Sequence, residues 1–400
     1  MPGGAMASDA VTSDVVDAKS VLLSLLRVDG GPGQEAEVAE TIIRLACEAG
    51  LEAKQFASDS AHKSIGSGER GNLVLKLPGR GMRGPRRMFS AHMDTVPLCV
   101  GQEPVVEGDV IRGRHRQFAL GGDDRAGCGV LVTMLRRLLQ SEVPHPPLTF
   151  VWFVQEEVGL RGARHIATGK LGNPAVAYNF DGASPDTLVI GATGDVAIQA
   201  TIRGRASHAG VAPQDGVSAA AVLAHALAEL DRDGWHGLIE KPGGRGSSNL
   251  GVVHGGAATN VVMDRLDFRA EVRSHSAAFR KKIVKRWKAA FERAAASVKA
   301  KDGHAATIEW DEELKYESFR LAKSADVVKA AERAVRACGR TPQTLVGNGG
   351  LDANWLNAHG IPTVTLGCGQ RGIHTTAETL DLPDYFAACD VAFELATASA

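Results

Sequence analysis

The chain of 400 residues has no excess of charge of either sign: 45 basic and 46 acidic side chains leave a net charge of −1. That balance argues against bulk electrostatic attraction to nucleic acid or to an anionic membrane. No run of about 18 apolar residues occurs, so no transmembrane helix is predicted. The first residues lack both a basic stretch and an apolar stretch, so no secretory signal is read there. The cysteines at 47, 99, 128, 338, 368 and 389 are scattered and form no C-x-x-C pair. This speaks against a cysteine-only zinc site and against a disulfide-dense fold, and it fits a reducing cytoplasm. No internal repeat is found.

Glycine is what the chain does have, 46 of its residues, well above the usual share, so tight turns near bound groups are expected. A hydrophobic fraction of 44% and a charged fraction of 23% are ordinary for globular chains. The length predicts two or three domains. Residues 1–15, small and polar, are expected to form a mobile tail.

Between Asp17 and Gly50 apolar residues recur at helical spacing on either side of the turn-rich Asp29-Gly-Gly-Pro-Gly33, which predicts two helices. Strands are predicted at 72–77, 87–92, 148–154, 175–180 and 362–366, a helix at 125–139, and a turn-rich excursion at 105–111. The run Leu148-Thr-Phe-Val-Trp-Phe-Val154 is apolar throughout, as a strand buried on both faces should be. Alternating strands and helices imply an α/β fold with a mostly parallel, doubly wound sheet. From residue 194 to residue 318 the pattern changes to strand–helix–strand–strand–helix–strand, the ferredoxin-like α+β order. The organisation expected is a first domain over 16–193 and 319–400 with a second domain, 194–318, inserted into it.

Ligands of open α/β sheets bind beyond the carboxyl ends of the strands, and those ends carry metal-competent side chains. His92-Met-Asp94 follows one strand, Glu156-Glu157 another, Asp181-Gly182 a third; Asp123-Asp124 precedes the helix, and His374 follows the last strand. Histidine nitrogen and carboxylate oxygen suit zinc, with cobalt or manganese as alternatives. Two histidines and three carboxylates suffice for two ions sharing one bridging carboxylate, a pair able to polarise a carbonyl. One further carboxylate can then carry a proton. Taken singly the signals are weak: a Glu-Glu pair is usually solvated surface, and an aspartate opening a helix is usually an N-cap. Their ordered recurrence at strand ends is what points to a metal site.

His92-Met-Asp-Thr-Val-Pro97, Asp123-Asp-Arg-Ala-Gly127, Glu156-Glu157, Asp181-Gly182 and His374 together resemble the dinuclear zinc exopeptidase superfamily. Within it the chain is most similar to the peptidase T-like branch, which includes tripeptide aminopeptidases and is related to glutamate carboxypeptidases and amino-acid deacylases. The resemblance implies that His92 and Asp181 hold one metal and Glu157 and His374 the other. It implies further that Asp123 bridges them, that Glu156 is the general base and acid, that Asp94 supports His92, and that the Asp123–Asp124 peptide is cis. Gly204-Arg-Ala-Ser-His-Ala-Gly210 resembles the family's lid motif, in which a histidine reaches the active site of the partner in a homodimer and stabilises an oxyanion; His208 is the residue implied. Asn260 and Arg273 match substrate-contacting positions, and Gly349 and Gly350 belong to a segment resembling a glycine-rich substrate loop. The substrate implied is a short peptide.

Other readings have less behind them. Glu156–Ala163 also resembles the tetrahedral aminopeptidases, but those place their extra domain between the HxD motif and the bridging aspartate, and here only 30 residues separate His92 from Asp123. Gly367-Cys-Gly-Gln-Arg-Gly372 is a literal GxGxxG, yet the residues after it lack helical spacing, which weakens a dinucleotide-binding oxidoreductase. A non-catalytic relative would be marked by loss of a ligand or of the base, and all are present. Within the enzyme class, a carboxypeptidase or an N-acyl amino acid deacylase is the alternative to an aminopeptidase, because fold and metal do not set specificity.

Overall fold

The structure is a computed structural model; it describes the backbone of residues 4–399 and the side chains of residues 15–399. The chain divides into two units. One comprises Met1–Gly191, Arg320–Gly347 and Leu351–Ala400, the other Ala192–Phe319 with Asn348–Gly350. The first helix, Gly4–Leu26, begins inside the segment read as a mobile tail. That segment holds no proline after Pro2, so no proline ring interrupts a helix there. Residues 1–3 of the expected tail lie outside the described residues.

The first unit is built on one mixed, mainly parallel sheet. Its order runs Phe56–Ser58, Leu73–Leu77, Leu148–Phe153, Arg87–His92, Val176–Phe180, Thr363–Leu366, Thr187–Ala192, with Gln343–Val346 also beside the last. The four central strands from Leu148–Phe153 to Thr363–Leu366 are parallel; antiparallel neighbours flank them. Side chains alternate between the faces of a strand, and both faces are covered here. Phe150 and Trp152 join one apolar cluster with Phe89 and Tyr178, while Val151 and Phe153 join another with Val74, Met88 and Ala177. Double burial is why these strands read as continuous apolar runs.

The excursion at 105–111 is a β-hairpin: Pro104–Glu107 pairs with Val110–Gly113 across Gly108-Asp109. Gly108 takes φ 60°, the left-handed conformation that a two-residue hairpin loop requires. These strands are only four residues long and mostly half-buried, so alternation gave no strand signal. The hairpin forms a small sheet with Thr379–Asp381 and Gln370–Arg371. His374 sits on the loop joining those last two strands. The GxGxxG stretch therefore runs into a short strand rather than a helix, which removes the dinucleotide reading.

The second unit is a five-stranded antiparallel sheet in the order Gly237–Lys241, Gly244–Gly255, Arg265–Ser274, Gly194–Arg203, Thr307–Tyr316. Helices Ala219–Arg232 and Ala277–Ser297 pack against it around Phe268, Trp287 and Phe291. Ser218 and Ser276 cap their N-termini, accepting from the amides of Ala221 and Phe279. This is the ferredoxin-like arrangement with one extra edge strand, Gly237–Lys241.

Candidate metal centre and active site

Strand Arg87–His92 delivers His92 at its carboxyl end, and the ring is buried. Its Nδ1 donates to the carbonyl oxygen of Asp94 at 3.0 Å, so Nε2 is the nitrogen that faces the cluster. The Asp94 carboxylate stands 3.5 Å from the same nitrogen. It chiefly organises the Glu-Glu pair, accepting from the backbone N–H of Glu156 at 2.9 Å and of Glu157 at 3.1 Å.

Asp123 stands between the two histidines. One carboxylate oxygen is 3.2 Å from His92 Nε2 and the other 3.2 Å from His374 Nε2. Glu157 reaches His374 Nε2 at 2.9 Å, and Glu156 Oε2 lies 4.0 Å from His92 Nε2. Asp181 completes the group: the sets His92–Asp123–Glu157, His92–Glu156–Asp181 and Asp123–Asp124–Asp181 each place one donor atom per residue within 4.8 Å of the others. The five residues assigned as ligands and Glu156 are thus gathered in one place, all from the first unit.

The helix Gly122–Gln140 starts with non-helical Asp123 and Asp124, and the peptide bond between them is cis. The two aspartates divide the roles left open for them. Asp123 turns to the histidines. Asp124 accepts from the N–H of Gly127, an N-cap bond, from the N–H of His92 at 3.1 Å and from Gln370 Nε2 at 2.9 Å.

The electrostatics call for a cation. Burial pushes Glu156 and Asp181 well above the usual carboxylate range, and neighbouring acids add to this. Asp352, whose buried carboxylate has neither oxygen hydrogen-bonded, is pushed up to about 7 by burial and by Asp94. Hydrogen bonds to Asp123 and Glu157 hold His374 up at about 10. Burial works against charge on His92, but Glu156, Asp123 and Asp94 outweigh it and raise its pKa. Six acids around two imidazoles in a low-dielectric pocket are a donor set that could hold divalent cations.

Sequence patterns missed the residues that hold this set in place. Glu378 accepts from the N–H groups of Gly121 and Asp123 at 2.8 and 3.0 Å. Glu35 accepts from the N–H of Gln155 at 3.0 Å and of Gly33 at 2.7 Å. Gln155 immediately precedes the Glu-Glu pair and has φ 54°, and His374 has φ 61°; such left-handed non-glycine residues persist only where surroundings enforce them. Glu35 and Glu378 stand in no motif, which is why only the folded chain reveals them.

His208, Asn260, Arg273, Gly349 and Gly350 belong to the second unit. His208 is exposed; its Nδ1 accepts from the N–H groups of Gly210 and Val211, both at 3.2 Å, leaving the proton on Nε2. Asn260 lies beside it, accepting from the N–H of Ala209 at 2.9 Å. Arg273 donates to Glu271 at 3.0 Å and faces Asp195 across the sheet. A Cβ at Gly350 would come within 2.6 Å of the Tyr316 hydroxyl, whereas Gly349 faces open space.

The chain belongs to the peptidase family M20/M25/M40, whose model matches residues 88–398. It is a peptide hydrolase, a metallo-exopeptidase of peptidase T-like type. It is 31% identical over 363 residues to the uncharacterized protein YqjE of Bacillus subtilis, covering 90% of this chain and 92% of that one. A tripeptidase from Staphylococcus aureus superposes with a TM-score of 0.85 at 29% identity, over 96% of this chain and 98% of the other. The aminopeptidase PepT of Bacillus cereus gives 0.81 at 30% identity with the same coverage.

Proposed function

We propose that the protein is an aminopeptidase that releases residues from short peptides using two divalent ions, zinc first among them, with cobalt or manganese as alternatives. The observation that carries this reading is Asp123, whose two oxygens each face a different histidine at 3.2 Å, as a carboxylate bridging two ions must. His92 and Asp181 would hold one ion, Glu157 and His374 the other. Bound there, the ions would supply Lewis-acid polarisation of the scissile carbonyl.

The chain's own residues do the rest. Glu156 takes a proton from the attacking water and returns it to the leaving nitrogen, a role suited to a carboxylate whose buried setting raises its proton affinity. Asp94 fixes the backbone from which Glu156 projects. His208 of a second copy of the chain donates from Nε2 to the developing oxyanion, which makes the working form a homodimer. Arg273 pairs with a substrate carboxylate through its fork of donors, with Asn260, Gly349 and Gly350 shaping the substrate site. The protein works in the cytoplasm. Among the described residues, no helix is long and apolar enough to cross a membrane.

The similarity to a tripeptidase and to PepT supports the aminopeptidase reading over the carboxypeptidase and deacylase ones. The test is a panel assayed after metal loading: a tripeptide, its N-acetylated form, its C-amidated form and an N-acetyl amino acid. Turnover that requires the free amine is expected. Turnover that requires the free carboxylate and tolerates acetylation would make the protein a carboxypeptidase, and turnover of the acetyl amino acid alone would make it a deacylase. The same assay on a dilution series reports assembly; full specific activity in a monomer would remove His208 from the reaction.

A further inference from the structure

A cavity of about 830 Å³ in the first unit plays no part in the proposed reaction. It lies at the amino ends of two central strands: Arg87 begins the strand that ends at His92, and Val176 begins the strand followed by Asp181. Cavity and metal-ligand cluster are therefore at opposite ends of the same strands, about 17 Å apart along them.

Its walls are mostly apolar, with Val176, Val327, Ala330 and Leu395 among them. Three polar groups converge on it. Tyr178 is 2% exposed, its ring packs on Phe89 with centroids 5.6 Å apart, and its hydroxyl has no hydrogen-bond partner among the described residues. Arg87 donates to the carbonyl oxygens of Leu395 and Ala398, both at 2.7 Å, which engages two of its five N–H donors and leaves its charge without an acid. Arg333 has no ion-pair partner among the described residues. All three residues line the same cavity. Burial raises Tyr178 to about 12 while Arg87 and Arg333 pull it down, and burial lowers Arg87 with Arg333 adding to the effect. Two like charges and an unused hydroxyl at an apolar cavity form an anion-binding arrangement. Asp326 and Glu394 also line the cavity, which disfavours a multiply charged anion and favours a single carboxylate.

We propose that this cavity is a second, non-catalytic site that binds a small aliphatic carboxylate, its charge on Arg333, Arg87 and the Tyr178 hydroxyl and its aliphatic part against Val176, Val327 and Leu395. A simple aliphatic acid and a free aliphatic amino acid share this chemistry; the amino acid would in addition place its ammonium group near Asp326 or Glu394.

The test is calorimetric titration of the metal-loaded protein with isovalerate, L-leucine and isoamylamine, repeated on Tyr178→Phe and Arg333→Gln. Tyr178→Phe keeps the packed ring and Arg333 is exposed, so both variants are expected to keep the parent Tm. The expected result is binding of at least one carboxylate probe, weakened about tenfold or more in each variant, with peptide hydrolysis unchanged. Tighter binding of leucine than of isovalerate identifies the amino acid as the source, and equal binding identifies the simple acid. Carboxylate binding at the metal centre would persist unchanged in both variants, and that outcome overturns the proposal. So would binding of isoamylamine alone, or no binding of either carboxylate at tens of millimolar.

Discussion

Glu35 contributes to the site without belonging to any of its motifs. It fixes Gln155 while Asp94 fixes Glu156 and Glu157, so two carboxylates pin three successive amides. Burial, with help from the Asp94 charge, raises the Glu35 carboxyl from 4.5 to about 7. An acid with a raised folded-state pKa binds more protons in the folded than in the unfolded chain across that interval, so stability falls as pH rises from about 4.5 to about 7. Glu35→Gln keeps one acceptor oxygen and removes the titration. Comparing Tm of parent and variant at about pH 5 and about pH 7.5 should show the parent losing more, by up to about 3 kcal/mol. Equal losses would place the Glu35 carboxyl near its unfolded value. Glu156→Ala should retain metal, measured by elemental analysis, while turnover falls by about 100-fold or more, the usual weight of a general acid–base group. Joint loss of metal and activity would instead make Glu156 structural.

At the scale of elements, the site depends on how closely the helix Gly122–Gln140 approaches strand Val176–Phe180. A Cβ at Gly127 would collide with the Phe180 carbonyl oxygen and lie 2.5 Å from both oxygens of Asp124. Alanine is the better helix former by about 1 kcal/mol, yet overpacking here should cost about 1–3 kcal/mol. Gly127→Ala is thus expected to lower Tm and to weaken metal binding through Asp124 and His92; an unchanged Tm would show that the helix can shift away. The elements readable in the sequence were those with strong periodicity or unbroken apolarity, such as Leu148–Phe153 and Ala277–Ser297. The hairpin at 104–113 was not, because short half-exposed strands carry little pattern. That hairpin completes the small sheet whose loop presents His374, so the element least visible in the sequence helps position a histidine that was visible.

At the scale of the whole molecule, the first unit collects acids from positions 94, 123, 156, 157, 181 and 352 into one buried region, at a cost in desolvation that a bound cation offsets. Dialysis against a chelator should lower Tm, and a divalent ion should restore it, by about 2.7 kcal/mol at an ion concentration 100 times Kd. A Tm indifferent to chelation would mean that the cluster holds no ion. The second unit has its own sheet and its own core.

What the sequence determined by itself is chemical identity and order. Residue types at the ends of apolar strands announce a metal site, because strand ends are where an α/β sheet exposes side chains to a ligand, and the resemblance of their ordered motifs to a peptidase family adds the hydrolase. What only the tertiary structure decided is which side chains meet and what holds them. Asp123, rather than Asp124, stands between His92 and His374, the Asp94 carboxylate braces the Glu-Glu pair more than the imidazole, and Glu35 and Glu378 clamp the backbone from remote positions. These are contacts between residues far apart in the chain, made through backbone amides that every residue carries, and a pattern of side chains holds no record of them.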